Sequence, residues 1–178
     1  MRMSEDDIKA FVIPLYADKD SMHNFNHILR IRERVDLYKA SCGHVDENKL
    51  TFLLNFHGLI PYVKDHEEEV VRMGFPSEWL EALYRHITNP VSIEEQLVSD
   101  ANAWETVGEF GIRKSLQVGK ERGRSLKETL DFMRENIKRV VFYTEPGKHY
   151  GEPGIEVVEN FLRKCEAAQS SLDGDLPK

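Results

Sequence analysis

In the segment HNFNHILRI, His23, His27 and Arg30 recur at i, i+4 and i+7 and so project from neighbouring turns of one helical face. His27 also borders the apolar stripe Ile28, Ile31, Val35 and Tyr38, where an imidazole needs a hydrogen-bond partner or a metal. In LTFLLNFHGLI, His57 shares an inward stripe with Leu50, Leu53 and Leu54. A buried imidazole there is costly unless paired, either with a metal or carboxylate or with a backbone carbonyl near the helix end. In SIEEQLVSDANAWETVG, Asp100 falls on one stripe with Leu97 and Trp104, and a core carboxylate must be paired, capped or metal-bound. Glu94, Glu95 and Glu105 are placed to reach solvent and read as surface acids. His27, His57 and Asp100 together form a hard nitrogen and oxygen donor set suited to Mn, Fe, Zn, Ni or Mg; three unrelated buried polar residues are the competing reading.

The elements that must position these residues are helical throughout, since no segment alternates as a half-buried strand would. Periodicity and turn residues predict helices at about 5–17, 22–41, 46–58, 65–74, 77–88, 93–105, 107–122, 126–144 and 153–168. Ser4 with Asp7, Ser92 with Glu95 and Ser125 with Glu128 have the spacing of capping boxes. At 178 residues the chain fits one domain, read as 1–169, followed by a tail at 170–178 with little to bury that reads as mobile. No apolar stretch approaches the roughly 20 residues of a membrane span, and the acidic start MRMSEDD is unlike a secretory signal, which points to the cytoplasm. Cys42 and Cys165 stand apart and suggest neither a disulfide nor a thiolate site. A net charge of -7 argues against long nucleic acid as a partner. Arg30, Arg32 and Arg34 are either a solvated helix face or a site for one small phosphate compound.

The same segments resemble the archaeal and bacterial HD-domain metal-dependent phosphohydrolases. HNFNHILRI matches that family's first histidine motif, FHGLI its His-Asp dyad, and SDANAWETVGEFGIRK its Asp-Ala-Asp stretch with the following Gly-x-x-Gly-Ile. GKERGRSLKETLDF and FYTEPGK extend the likeness over roughly residues 20–168. The resemblance implies an all-α, irregular helical bundle around a divalent metal held by His27, His57 and Asp100. It further implies a small phosphorylated metabolite contacted by Arg30, His86 and Lys114, with His66 as proton donor to the leaving group. Hydrolysis of a phosphate ester or anhydride by metal-activated water would follow. The chain departs from the pattern at Gly58, where the dyad has Asp, and at Asn102, Glu105 and Lys114. Gly58, Asn102 and a segment after His57 that is shorter than the family's favour the alternative of a catalytically inactive ligand-binding or protein-interaction module on the same helices. Gly58 also suits the position just past a helix end.

Overall fold

A computed structural model describes the backbone of residues 3–174 and the side chains of residues 3–168. Ten α-helices and no strand occur among the described residues: α1 Glu5–Leu15, α2 Phe25–Lys39, α3 Glu47–Phe56, α4 Ile60–Asp65, α5 Glu67–Arg72, α6 Ser77–Arg85, α7 Ile93–Trp104, α8 Gly108–Glu121, α9 Leu126–Ile137 and α10 Glu145–Gly174. A 3-10 turn, His57–Leu59, joins α3 to α4. No described helix is long and apolar enough to cross a membrane.

Two apolar clusters form the interior. The larger draws on α1 to α7, with Ile28, Ile31, Val35, Phe52, Leu53 and Leu97 fully buried. The smaller gathers Val107, Leu130, Met133, Ile137, Phe142, Val158 and Leu162 from the later elements. Helix α7 packs against α2 and α3 on one side and α10 on the other, and so stands between the clusters. Its two sides therefore face different surroundings, which decides where its polar residues point.

The boxes at Ser4 and Ser125 form completely, with Asp7 and Glu128 returning to the capping backbone amides. At Ser92 only half the box forms. The Ser92 hydroxyl accepts from the Glu95 amide, but the Glu95 carboxylate turns instead to Arg85 and the Val91 amide.

Three predicted boundaries need correction. The turn expected at Gly58 to Pro61 contains the start of α4, because Pro61 falls at a first-turn position that needs no amide. The helix predicted over 126–144 ends at Ile137, and 140–144 leave the helical path. The last helix begins at Glu145, not 153, and carries Pro153 in its interior. It also runs past 168 to Gly174, into the tail expected from 170, of which residues 175–178 lie outside the described residues.

The early start of α10 is made possible by small residues. Gly147, Gly151 and Gly154 repeat at i, i+4 and i+7 and lie against Asp100 of α7, Phe142 and the α7–α8 junction in turn. A Cβ at Gly151 would collide with the Phe142 ring, and one at Gly147 with the Asp100 carboxylate.

Candidate functional site

His27 on the first turn of α2 and His57 at the end of α3 converge, with ring centroids 5.5 Å apart. Both line a cavity of about 560 Å³ together with Asp20, His23, Gly58, Asn102 and Arg122. The two histidines thus meet as expected. Asp100 does not join them.

Asp100 is fully buried on the side of α7 that faces α10. Its carboxylate accepts from the Tyr143 amide at 2.8 Å, the Thr144 amide at 2.8 Å and the Thr144 hydroxyl at 2.7 Å. Thr144 in turn caps α10 by accepting from the Gly147 amide at 3.0 Å. Asp100 is a clasp for the start of α10, which corrects its assignment as a metal ligand. The residue that reaches the histidines from α7 is Asn102, 3.2 Å from His57 Nε2. Helical residues two apart point about 200° away from each other, so one helix cannot aim both Asp100 and Asn102 at the same ring.

Glu105, read from sequence as a surface acid, is 1% exposed and lies at the centre of the polar network. It accepts from His27 Nδ1 at 2.8 Å, from Arg30 Nε at 2.6 Å and from Lys114 Nζ at 2.6 Å. Arg30 and Lys114 were assigned to phosphate; both are turned onto this carboxylate, because leaving Glu105 buried and unpaired would be far more costly. Glu94 and Glu95 are likewise buried. Glu95 binds Arg85 through two hydrogen bonds, of 2.8 and 2.9 Å, and Glu94 accepts from the Asp46 amide.

His86 has no exposed surface and sits behind His57, so it cannot contact a ligand. Its Nε2 lies 2.6 Å from His57 Nδ1, and its Nδ1 donates to the Leu83 carbonyl at 2.6 Å. His66 lies elsewhere. It is exposed at the α4–α5 junction, stacked on Tyr62 at 4.1 Å, in a surface depression lined by Lys64 and Glu67 to Glu69. Its assignment as a proton donor at the histidine site is therefore corrected: the short helix α4 turns the chain away after His57.

Gly58 is not in a left-handed conformation, and the positive φ expected of a helix-end glycine is absent there. Its lack of a side chain is explained by Tyr16. A Cβ at position 58 would lie 2.8 Å from Tyr16 Cε1, and the Tyr16 hydroxyl accepts from the Gly58 amide while donating to the Asn55 carbonyl. Gly58→Asp should therefore cost about 1–3 kcal/mol through overpacking against a buried ring. It should also fail to create manganese affinity, since α7 brings only the Asn102 amide, and no carboxylate, to His57. Urea denaturation and calorimetric titration with Mn would check both; micromolar Mn binding by the folded variant would refute this account of the site.

The electrostatics favour neutral imidazoles. Burial holds the pKa of His57 well below the ordinary histidine value, reinforced by His86 and His27. Burial also lowers His27 against the opposing pull of Glu105, and lowers His86. For Glu105, burial pushes the carboxyl up, but the bonds from His27 and Arg30 and the charge of Lys114 override it and hold it well below the carboxylate range. The histidines have folded pKa values below their unfolded value near 6.5, so the unfolded chain takes up protons first on acidification. Their stabilising contribution is complete above roughly pH 6.5 and is lost as pH falls through the folded values. Melting temperature should thus be lower at about pH 5.5 than at about pH 7.5. An unchanged melting temperature across that interval would mean that the buried histidines are not held neutral.

These donors do not suit a divalent ion. Glu105 and Asp100 are saturated by cations or amides, Asp20 is held by Arg122 and His23, and His57 is bonded through both nitrogens; Asp18, the other carboxylate lining the cavity, is exposed. Among the described residues no group of three or more His, Cys, Asp or Glu is arranged to hold a metal.

Arg122 and Arg124 escaped the sequence reading of the site, and Asn102 entered it only as a departure from the family pattern. A second cavity, of about 210 Å³, adjoins the first through His23, Asn102 and Arg122 and is also lined by Lys114, Ser115, Arg124 and Phe132. Arg122 is fixed by Asp20 at 2.7 Å, and the neighbouring Ser21 is bonded to Glu121, which ties the end of α8 to the α1–α2 connection. The alternation of Arg122 and Arg124 with glycine in KERGR was the available signal.

No family model and no curated protein matches the chain. Among solved structures, a Lactobacillus plantarum protein superposes with a TM-score of 0.78 at 16% identity, covering 96% of this chain and 100% of that one. Lin1889 from Listeria innocua gives 0.65 at 18% identity, covering 92% and 96%. Bacillus subtilis YpgQ, solved in complex with ADP, gives 0.66 at 19% identity, covering 92% and 94%. At these identities the likeness establishes a shared all-α fold across nearly the whole chain.

Proposed function

We propose that this chain is a phosphorylated-metabolite binding protein built on an HD-type helical scaffold, working without a catalytic metal. The observation that carries the reading is the fate of the charges around His27 and His57. Glu105, Asp100 and Asp20 are each closed off by basic side chains or backbone amides, which leaves the exposed Asp18 as the one other carboxylate on the wall of the cavity that holds the two histidines, while the adjoining cavities keep arginines at their walls. An anionic small molecule is the ligand such walls favour, and guanidinium is well matched to phosphate. The ADP complex of YpgQ, a protein of similar fold, points to the same ligand class. Size agrees as well, since small-molecule sites commonly occupy about 300–1,000 Å³.

Titration of ADP and AMP into protein stripped with chelator tests the reading. Binding that is unchanged by added Mn, with no phosphate released, is the expected result. Mn-dependent release of phosphate or pyrophosphate would replace it with the metal-dependent hydrolase.

A further inference from the structure

The cleft has two chemically unlike ends, and hydrogen-bond bookkeeping identifies them. The Leu83 carbonyl can only accept, so His86 carries its proton on Nδ1 and offers a lone pair at Nε2. His57 Nδ1, 2.6 Å away, must donate to it, which leaves the His57 lone pair on Nε2. Asn102 Oδ1 and His57 Nε2 lie 3.2 Å apart, and this tautomer requires the amide the other way round, with its NH2 group on Nε2 and its oxygen toward the cavity. Glu105 fixes the His27 proton on Nδ1 and Asp20 does the same for His23 at 2.7 Å, so both rings keep a lone pair on Nε2. His23, His27 and His57 all line the same cavity. The inner end is a group of hydrogen-bond acceptors whose nearby cations, Arg30 and Lys114, are both turned onto Glu105 and away from the cavity histidines.

The outer end is the reverse. Arg124 lies over the Phe132 ring, 4.3 Å from its centroid, with no ion-pair partner among the described residues; Arg122 beside it is paired with Asp20 through one nitrogen but remains about half exposed, so Arg124 is the principal cation of this end. A phosphate placed among imidazole lone pairs would be repelled; placed at Arg122 and Arg124 it gains charge-assisted hydrogen bonds. Hydroxyl and amino groups have the opposite preference.

We infer that the ligand lies with its phosphate at Arg122 and Arg124 and its hydroxyl- or amino-bearing portion against His23, His27 and Asn102. This deepens the binding-protein reading and rests on it. The ligand class is accordingly a hydroxyl-rich phosphate monoester of nucleoside monophosphate type. Its orientation is opposite to one in which the phosphate would meet the two central histidines.

Calorimetry with three probes separates the ends: AMP carries both portions, adenosine only the donor-rich one, and pyrophosphate only the anion. Arg124→Gln should weaken AMP and pyrophosphate about tenfold or more and leave adenosine within about twofold. His27→Gln should weaken AMP and adenosine and spare pyrophosphate. His23→Phe, at a half-buried position outside the Glu105 network, gives the same readout if His27→Gln does not fold. Loss of pyrophosphate binding in the histidine variants with none in Arg124→Gln would overturn the orientation while leaving the binding reading intact, and so would equal losses for all probes. Wild-type protein that binds none of the three would overturn both.

Discussion

Asp100→Ala should destabilise the fold by about 3–5 kcal/mol, the cost typical of deleting a buried charged partner. For a domain of this size that corresponds to a fall in melting temperature of roughly 6–20 °C. The substitution strands the Tyr143 and Thr144 amides and the Thr144 hydroxyl. Each buried donor left unsatisfied costs about 1–3 kcal/mol, which places the loss well above that of an ordinary surface change. Burial raises the pKa of Asp100, opposed by these same hydrogen bonds. Asp100→Asn should be milder, because its amide oxygen can still accept from part of the set. Denaturant titration with circular dichroism provides the measurement; a loss below about 1 kcal/mol for Asp100→Ala would remove the clasp from the account.

Glu105→Ala should be as damaging, about 3–5 kcal/mol, for a different reason. It leaves Lys114, only 13% exposed, and Arg30 facing one another without the carboxylate that separates them. Burial already lowers the Lys114 pKa, and Glu105 is its main opposing partner. Replacing both members of one pair, as Glu105→Met with Lys114→Met, should recover part of the loss, since an apolar pair of similar volume avoids the desolvation cost. A double-mutant cycle measures the recovery. A double variant no better than Glu105→Ala would mean that His27 and Arg30, not the lysine, set the need for the carboxylate.

The all-α class and the inward placing of His27 and His57 were legible because apolar periodicity and capping signals act locally. The role of Asp100 was not. Its stripe was read correctly as inward, but α7 is buried on two sides, and periodicity alone does not say which side faces the histidines. The burial of Glu94, Glu95 and Glu105 was missed for a related reason. Each is satisfied by partners remote in sequence: Asp46 for Glu94, Arg85 and Lys49 for Glu95, and His27 and Arg30 for Glu105. Such acids look solvent-facing until the fold brings their partners to them. Gly58 carried a false signal, since its position after an apolar helix fits a terminal cap, whereas the packing of Tyr16, 42 residues earlier, is what the glycine admits.

The division of the interior into two clusters bears on how the protein is made. All of the buried residues of the first cluster lie between Ile8 and Ala101, whereas the second is complete only when Val158 and Leu162 have emerged. At a synthesis rate of about 5–20 residues per second, roughly 3–12 s separate the two events on the ribosome. For roughly the first two-thirds of that interval Asp100 has no Thr144 to bind, and the α10 face of α7 is uncovered. A nascent chain halted within this window presents the surface that a chaperone would recognise, and arrival of the glycine face of α10 withdraws it.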